Sequence, residues 1–254
     1  MIELKRTAIT LLEKNLLKTG RVLAVRYWEP STFVEIDLHL PGLDMSGWTQ
    51  AQHLKCRVGP FTYRDYSVAG WDEETRTGTL YVDAGHDGPG SNWAKSASAG
   101  DVFQYAGCGR SPHAPAASAR PVFLGDESSL GHFLSLQQLL SNQTPIPNQL
   151  PVSGQAPVGQ PPAPNQPLLS GAIAFSEPAH RRCFADYLRL PLEPVCGRAG
   201  AWQGLRDWLG GSGCLTGDAV FYVAGNMEMV QQARRLLREK GVAGKDIKVH
   251  GFWR

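Results

Sequence analysis

The sequence has no C-x-x-C pair, no plant-type iron–sulfur spacing, no G-x-G-x-x-G and no apolar run approaching the length of a membrane span. The first two absences argue against a metal cluster held by cysteines. Cys56, Cys108, Cys183, Cys196 and Cys214 are scattered and odd in number, and read as buried, reduced thiols of a cytoplasmic protein. The third absence argues against a standard Rossmann site, and the fourth against stable membrane association. Residues 1–6 carry charges where a signal peptide needs an apolar core. An excess of one charge is missing too. The net charge is +2, with thirteen Lys/Arg against thirteen Asp/Glu in residues 1–120 and twelve against ten in 121–254. That balance speaks against nucleic acid or an acidic membrane as the main partner, and a monomer is expected. The seven histidines form no ligand cluster in sequence, so no resident metal is expected.

What is present divides the chain in two. Residues 5–18 place Ile9, Leu11, Leu12, Leu16 and Leu17 at roughly helical intervals, which predicts a short leading helix. From Arg21 to Gly107 the pattern is short β-branched and aromatic stretches cut by turns: 22–28, 33–40, 52–58, 63–70, 78–83 and 101–105. Six strands at this spacing predict an antiparallel β-barrel over residues 1–108, interrupted by one helix at 91–98. Residues 109–120 read as a connector. Beyond it strands at 122–125, 172–175, 219–224 and 247–252 alternate with helices at 128–140, 180–188, 202–209 and 227–240. This order predicts an α/β domain over 121–254 with a doubly wound parallel sheet, whose ligands bind beyond the carboxyl ends of the strands. Residues 141–170, rich in Asn, Gln, Pro, Ser and Gly, read as an insertion: a surface loop or a lid over the site.

Two motifs in the first half carry chemistry. Arg64-Asp65-Tyr66-Ser67 closes one strand, and His86-Asp87-Gly88-Pro89-Gly90-Ser91-Asn92-Trp93-Ala94 opens a helix some twenty residues later. At this spacing they can hold a dinucleotide. Arg64 can pair with a pyrophosphate in bidentate fashion. Tyr66 can lie against an isoalloxazine face, and the Ser67 hydroxyl can reach the flavin N5 edge. Ser91 and the amides after Gly90 would stand at a helix start, where unpaired N–H groups favour phosphate. R-x-Y-S alone fits equally a surface arginine beside a core tyrosine.

The motif pair resembles the FAD-binding half of the siderophore-interacting proteins, ferric-siderophore reductases on a ferredoxin-reductase-like fold. Three further segments match that family. Leu124-Gly125-Asp126-Glu127-Ser128-Ser129-Leu130 looks like its G-D-E-[ST]-[AS]-L turn, Ala224-Gly225-Asn226-Met227 like its second turn, and Gly251-Phe252-Trp253-Arg254 like its G-[YF]-W-R ending. The resemblance implies FAD held by Arg64, Tyr66, Ser67, His86, Gly88, Gly90, Ser91, Trp93 and Ala94, with Tyr66 and Ser67 at the reacting ring. It implies NADH or NADPH across Gly125, Asp126, Glu127, Ser128, Ala224, Gly225 and Asn226, and a ferric siderophore as the substrate from which Fe(II) is released.

Several residues keep two readings. Lys55, Arg57 and Arg110 would help an anionic chelate dock, or are surface or FAD-contacting charges. Ser128 and Ser129 contact phosphates or cap the helix. Arg234, Arg235 and Arg238 select a 2′-phosphate or form a solvated face. His86 orders the phosphate turn. Trp93 packs beneath an adenine or fills the seam between barrel and sheet, and Trp253 covers the flavin or packs in the core. Three departures from the family matter: Asn226 where a glutamate is common, Ala69 where an arginine is expected, and no extension beyond Arg254, which would remove one wall of the substrate site. The alternatives are a flavin reductase feeding a ferredoxin or an oxygenase, and a non-catalytic FAD or siderophore binder.

Overall fold

The computed structural model describes residues 17–116, 120–141, 170–188, 190–197, 200–213, 215 and 218–253. Of the leading helix expected over 5–18, residues 5–16 lie outside them, and Lys18 already begins a strand. The interior of the 141–170 insertion, Cys214 and Arg254 also lie outside them.

Six strands form the first half: β1 Lys18–Trp28, β2 Phe33–His39, β3 Gln52–Gly59, β4 Thr62–Asp72, β5 Thr77–Asp83 and β6 Val102–Arg110. They close into an antiparallel barrel in the order β1-β2-β5-β4-β3-β6. Closure pairs Lys18 with Tyr105 and Arg21 with Val102, so the sheet keeps no open edge. The expected strands hold; β6 runs five residues further than its apolar stretch and takes the start of the expected connector. In β2 the alternation sends Val34, Ile36 and Leu38 into the barrel core, while Phe33 enters a second apolar cluster shared with the other half. Both faces of β2 are therefore covered, and its buried Glu35 is bonded by Arg26 Nε at 2.9 Å and Trp28 Nε1 at 2.7 Å. Burial pushes the Glu35 carboxyl upward, against the opposing pull of Arg26. The interrupting helix, α1, spans Pro89–Ser96 with proline at its start.

The second half is a parallel sheet of β7 Arg120–Asp126, β8 Ser170–Ala174, β9 Glu193–Val195, β10 Ala219–Asn226 and β11 Ile247–Trp253, in the order β11-β10-β7-β8-β9. β7 and β10 are buried almost throughout, as central parallel strands must be. Helices α2 Leu130–Ser141, α3 Pro178–Tyr187, α4 Ala201–Gly211 and α5 Met227–Glu239 follow the strands, α2 after a 3-10 turn at Glu127–Ser129. β9 has no signal in the sequence: three residues, one of them proline, pair with Ala172–Ala174 only because α3 returns the chain to that edge. Leu205 and Leu209 of α4 and Met229 and Val230 of α5 pack one face of the sheet. On the other face Phe133 of α2 and Phe184 of α3 join Trp28, Phe33 and Tyr81 of the barrel. The two halves thus share one apolar core.

α2 carries the seam. Its Gln138 amide bonds both backbone groups of Trp71 in β4, with Trp71 N–H to Oε1 at 3.1 Å and Nε2 to the carbonyl at 2.9 Å. A side chain here acts as the neighbouring strand that β4 lacks at that point. Strand order reverses between β7 and β10, so the crevice beyond their carboxyl ends is the switch point where such sheets bind ligands. No described helix is long and apolar enough to cross a membrane.

Gly171, in β8, has φ +149°, and a Cβ there would stand 2.7 Å from the Phe123 backbone nitrogen. Backbone of a central strand cannot yield. Gly171→Ala is expected to cost more than about 4 kcal/mol, by strain and overpacking together, read as the loss of denaturant midpoint or of a cooperative transition.

Candidate functional site

A cavity of about 520 Å³ opens where β4, the 83–91 segment, Ser128 and the end of β11 meet. That volume is in the range of small-molecule sites. Its walls include Arg64, Tyr66, Ser67, His86, Ser91 and Trp253, so most of both sequence motifs converge here.

The barrel wall is built by close approach. Gly90 lies so near Tyr66 that a Cβ would run into the Tyr66 hydroxyl and stand 3.3 Å from Arg64 Cγ. Glycine is needed there. Tyr66 stacks on Trp93 with centroids 5.8 Å apart at 24°, and its burial pushes the phenol upward. Arg64 is exposed at the mouth, with Nη1 on the adjacent Tyr63 carbonyl at 2.8 Å. The Ser91 hydroxyl, in the first turn of α1, is buried with no hydrogen-bond partner. Trp93 and Ala94 turn the other way: Trp93 packs on Phe103 and Tyr66, and Ala94 is fully buried in the barrel core. Neither is among the residues lining the cavity, and Trp93 fills the barrel rather than the seam.

On the sheet side the arrangement is tighter than a ligand-contacting edge. Asp126, at the end of β7, accepts the Asn226 N–H at 2.7 Å and both the N–H and hydroxyl of Ser128. Burial raises its carboxyl to about 6 against those bonds. Asp126 therefore caps the turn, which corrects the expectation that Ser128 does so. Ser128 instead reaches the cavity and accepts the Trp253 Nε1 hydrogen at 3.1 Å. Gly225, at φ +129°, leaves room for that carboxylate; a Cβ would meet Asp126 atoms at 2.5–2.7 Å. Asn226 caps α5 through Oδ1 on the N–H groups of Glu228 and Met229. A Cβ on Gly125 would lie 2.6 Å from the Ala224 carbonyl oxygen, so these turns are packed against each other. Of the sheet residues singled out in sequence, Ser128, Gly251, Phe252 and Trp253 line the cavity; Gly125, Asp126, Glu127, Ala224, Gly225 and Asn226 are not among its lining.

Trp253, 40% exposed, stacks on His86 with centroids 5.6 Å apart at 10°. It lies over the cavity, not in the core, and His86 contacts it rather than bonding the glycine turn. Lys55 pairs with Asp65 at 2.8 Å and Arg57 bonds Gln104 at 2.7 Å; with Arg110 they fall outside the lining. Ala69 is buried in the shared core under α2, so that position has no route to the cavity. Arg234, Arg235 and Arg238 are exposed on α5.

Four histidines come together in space, which their spacing in sequence does not show. His53 and His250, which line the cavity, and His113 and His132, which do not, form a chain of ring contacts 4.8–6.2 Å apart. His132 Nδ1 lies 3.5 Å from Ser67 Oγ, and its Nε2 lies 2.7 Å from His113 Nδ1. Burial depresses all four, His113 to about 3. The described residues form no group able to hold a metal ion. Separations of dozens of residues hide this cluster from any spacing rule.

No family model and no curated protein matches the chain. Solved structures match its fold over nearly its whole length. The siderophore-interacting protein of Acinetobacter baumannii is 14% identical with a TM-score of 0.66, over 94% of this chain and 90% of that one. A siderophore utilization protein of T. fusca is 22% identical with a TM-score of 0.65, over 94% of each. The ferredoxin reductase of a carbazole 1,9a-dioxygenase is 17% identical with a TM-score of 0.64, over 93% of this chain and 69% of that one. The motif resemblance to siderophore-interacting proteins is thus met by structures of that group, and the chain has the ferredoxin-reductase-like fold: an antiparallel barrel followed by a parallel-sheet domain.

Behind the cavity His180 joins the halves. Its Nδ1 faces Glu127 Oε2 at 3.2 Å and its Nε2 faces the Pro30 carbonyl at 3.0 Å. Both partners accept, so the ring donates twice as an imidazolium. Burial opposes that charge, but the Glu127 and Pro30 bonds outweigh it and raise the ring above its usual value of 6.5. The stabilisation is full below about pH 6.5 and is lost as pH rises through the raised value. His180→Gln should therefore cost about 3–5 kcal/mol at pH 6 and progressively less towards pH 9. Urea denaturation of both proteins across that range checks it; a pH-independent difference would mean a neutral ring.

Proposed function

We propose that the chain is a cytoplasmic, monomeric FAD-dependent reductase that takes electrons from NADH or NADPH and reduces a ferric siderophore to release Fe(II). The observation that carries the flavin reading is the cavity wall made by Arg64, Tyr66, Gly90 and Ser91. The residues fit the group: a buried hydroxyl without a partner at a helix start suits a phosphate oxygen, and the glycine lets a ligand approach the backbone. Arg64 would hold the pyrophosphate, with Gly88, Gly90 and Ser91 across from it. Tyr66 would support the ring system, and Ser67 would meet its reacting edge. FAD supplies there the exchange of a two-electron donor for one-electron delivery to iron.

The chain's own residues do the rest. Trp253 shields the cavity while bonded to Ser128 and stacked on His86, and must swing aside for a nicotinamide to reach the same place. Ser128 is then released to a new partner. Asp126, Gly225 and Asn226 keep the two turns behind it fixed, so the nicotinamide edge meets a prebuilt wall.

One observation favours a second reading of the acceptor. Among the described lining residues Arg64 is the only Lys or Arg, beside Asp65, Asp83 and Asp87. An anionic chelate gains little attraction from such a mouth, which suits a ferredoxin or oxygenase partner docking over it.

Anaerobic spectroscopy separates these readings. The yellow protein should bleach with one of the two nucleotides and be reoxidised by a ferric siderophore, with Fe(II) trapped. Reoxidation by ferredoxin alone would select the second reading, and a flavin that no nucleotide bleaches would leave a carrier. Arg64→Ala and Gly90→Ala should each lower flavin occupancy at least tenfold, the first by removing the charge-assisted pair and the second by moving Tyr66. Full occupancy in both variants would refute the placement.

A further inference from the structure

We propose that Asp126 fixes the Ser128 hydroxyl as a donor, so that Ser128 presents the cavity with a lone pair alone. Trp253 fills that lone pair in the closed cavity, and a ligand that displaces Trp253 must fill it with a hydrogen of its own. The choice of a primary carboxamide as that ligand group rests on the nicotinamide reading; the latch itself does not.

Three groups lie in series from the cavity inward. An indole can only donate, and Trp253 Nε1 stands 3.1 Å from Ser128 Oγ. Ser128 Oγ therefore accepts there, and its single hydrogen goes to its other contact, Asp126 Oδ1. Asp126 cannot reverse this order. Its Oδ1 also takes the Ser128 N–H at 3.1 Å and its Oδ2 takes the Asn226 N–H at 2.7 Å, and both of those groups only donate. A carboxyl hydrogen turned to Ser128 would bring two donors onto Oγ and leave the hydroxyl hydrogen with no acceptor among the described residues. The indole thus decides the direction of both bonds.

The two ends of the series differ in freedom. Asp126 is buried at the end of a central strand, and its backbone partners belong to β10 and to the turn that α2 follows. Trp253 is largely exposed, held by the Ser128 bond and by its stack on His86. When Trp253 leaves, the Ser128 hydrogen stays with Asp126 and the lone pair is left facing the cavity that Ser128 lines. An N–H entering there restores the lost bond, whereas a carbonyl oxygen sets lone pair against lone pair. Trp253 is in this sense a placeholder for the donor of the ligand. Of the two ends of a primary carboxamide, the NH2 faces Ser128 and the carbonyl faces away.

The latch is read first without any ligand, in proton–nitrogen spectra of the tryptophan-labelled full chain. The Trp253 indole signal is identified by its loss in Trp253→Phe. Ser128→Ala should move that signal and speed its hydrogen exchange roughly fivefold, and Ser128→Thr should restore both. A signal and exchange rate unchanged in Ser128→Ala would overturn the latch whatever the cavity binds. The same signal is then titrated with NAD and NADP, with their thionicotinamide analogues, which keep the NH2, and with their 3-acetylpyridine analogues, which carry a methyl in its place. The parent should hold the NH2-bearing forms roughly fivefold more tightly than the acetyl form, the worth of about one hydrogen bond. That preference should disappear in Ser128→Ala and return in Ser128→Thr. An equal preference in the parent and Ser128→Ala, or a parent that favours the acetyl form, would overturn the donor requirement. If none of these nucleotides moves the signal, the nicotinamide reading fails and the donor requirement with it, while the Ser128→Ala spectrum still decides the latch. If Ser128→Ala does not fold, the preference of the parent between amide and acetyl forms decides alone.

Discussion

The docking of α2 on β4 is the contact on which the rest depends. The helix belongs to the parallel sheet by its chain connection and to the barrel by its bonds. At one end Gln138 completes the hydrogen bonding of Trp71, and at the other His132 reaches Ser67. Next to His132, Gly131 brings the helix so near that a Cβ would stand 3.1 Å from the Ser67 carbonyl oxygen. Were α2 to lift, Leu130 and Phe133 would leave water-excluded packing and several buried polar groups would lose partners at once. The cavity is therefore a product of two domains held in one register, not a pocket in either.

Burial is used for electrostatics on both sides of that seam. Asp126 is kept by backbone and hydroxyl donors in place of a cation, and spans the switch point between β7 and β10. Glu35 has Arg26 and an indole N–H, and Glu127 has His180. Each buried carboxylate is satisfied, and each satisfies a segment that crosses between elements. The histidines beside Ser67 are the counterpart: burial lowers all four rings, which meet one another without a carboxylate between them.

Much of this is legible in sequence. β-branched and aromatic runs between Pro/Gly turns locate all six barrel strands, and the central parallel strands stand out as continuous apolar runs at 122–125 and 219–224. The motifs R-x-Y-S and G-P-G-S identify one cavity wall because each is a contiguous stretch whose residues stay together in the fold. β9 is invisible, since three residues gain their strand form from an edge elsewhere. The direction in which Trp93 and Ala94 face is set by the barrel core behind α1, and no motif encodes it. Asn226, read against the family as a changed contact, is a helix cap. His53, His113, His132 and His250 come together only through the fold, from four separate elements and loops, and periodicity does not reach that far.

β11 stands at the margin of its sheet, bonded along one side to β10, with Gly251 admitting Met227 of α5 against it. Its last four residues are also cavity wall. A marginal strand opens at lower free energy than the strands inside, so one boundary of the site is an element that local unfolding releases before the sheet's centre. A molecule held between β4 and β11 supplies contacts that the missing outer neighbour does not. Amide exchange along 250–253 would then report occupancy of the cavity.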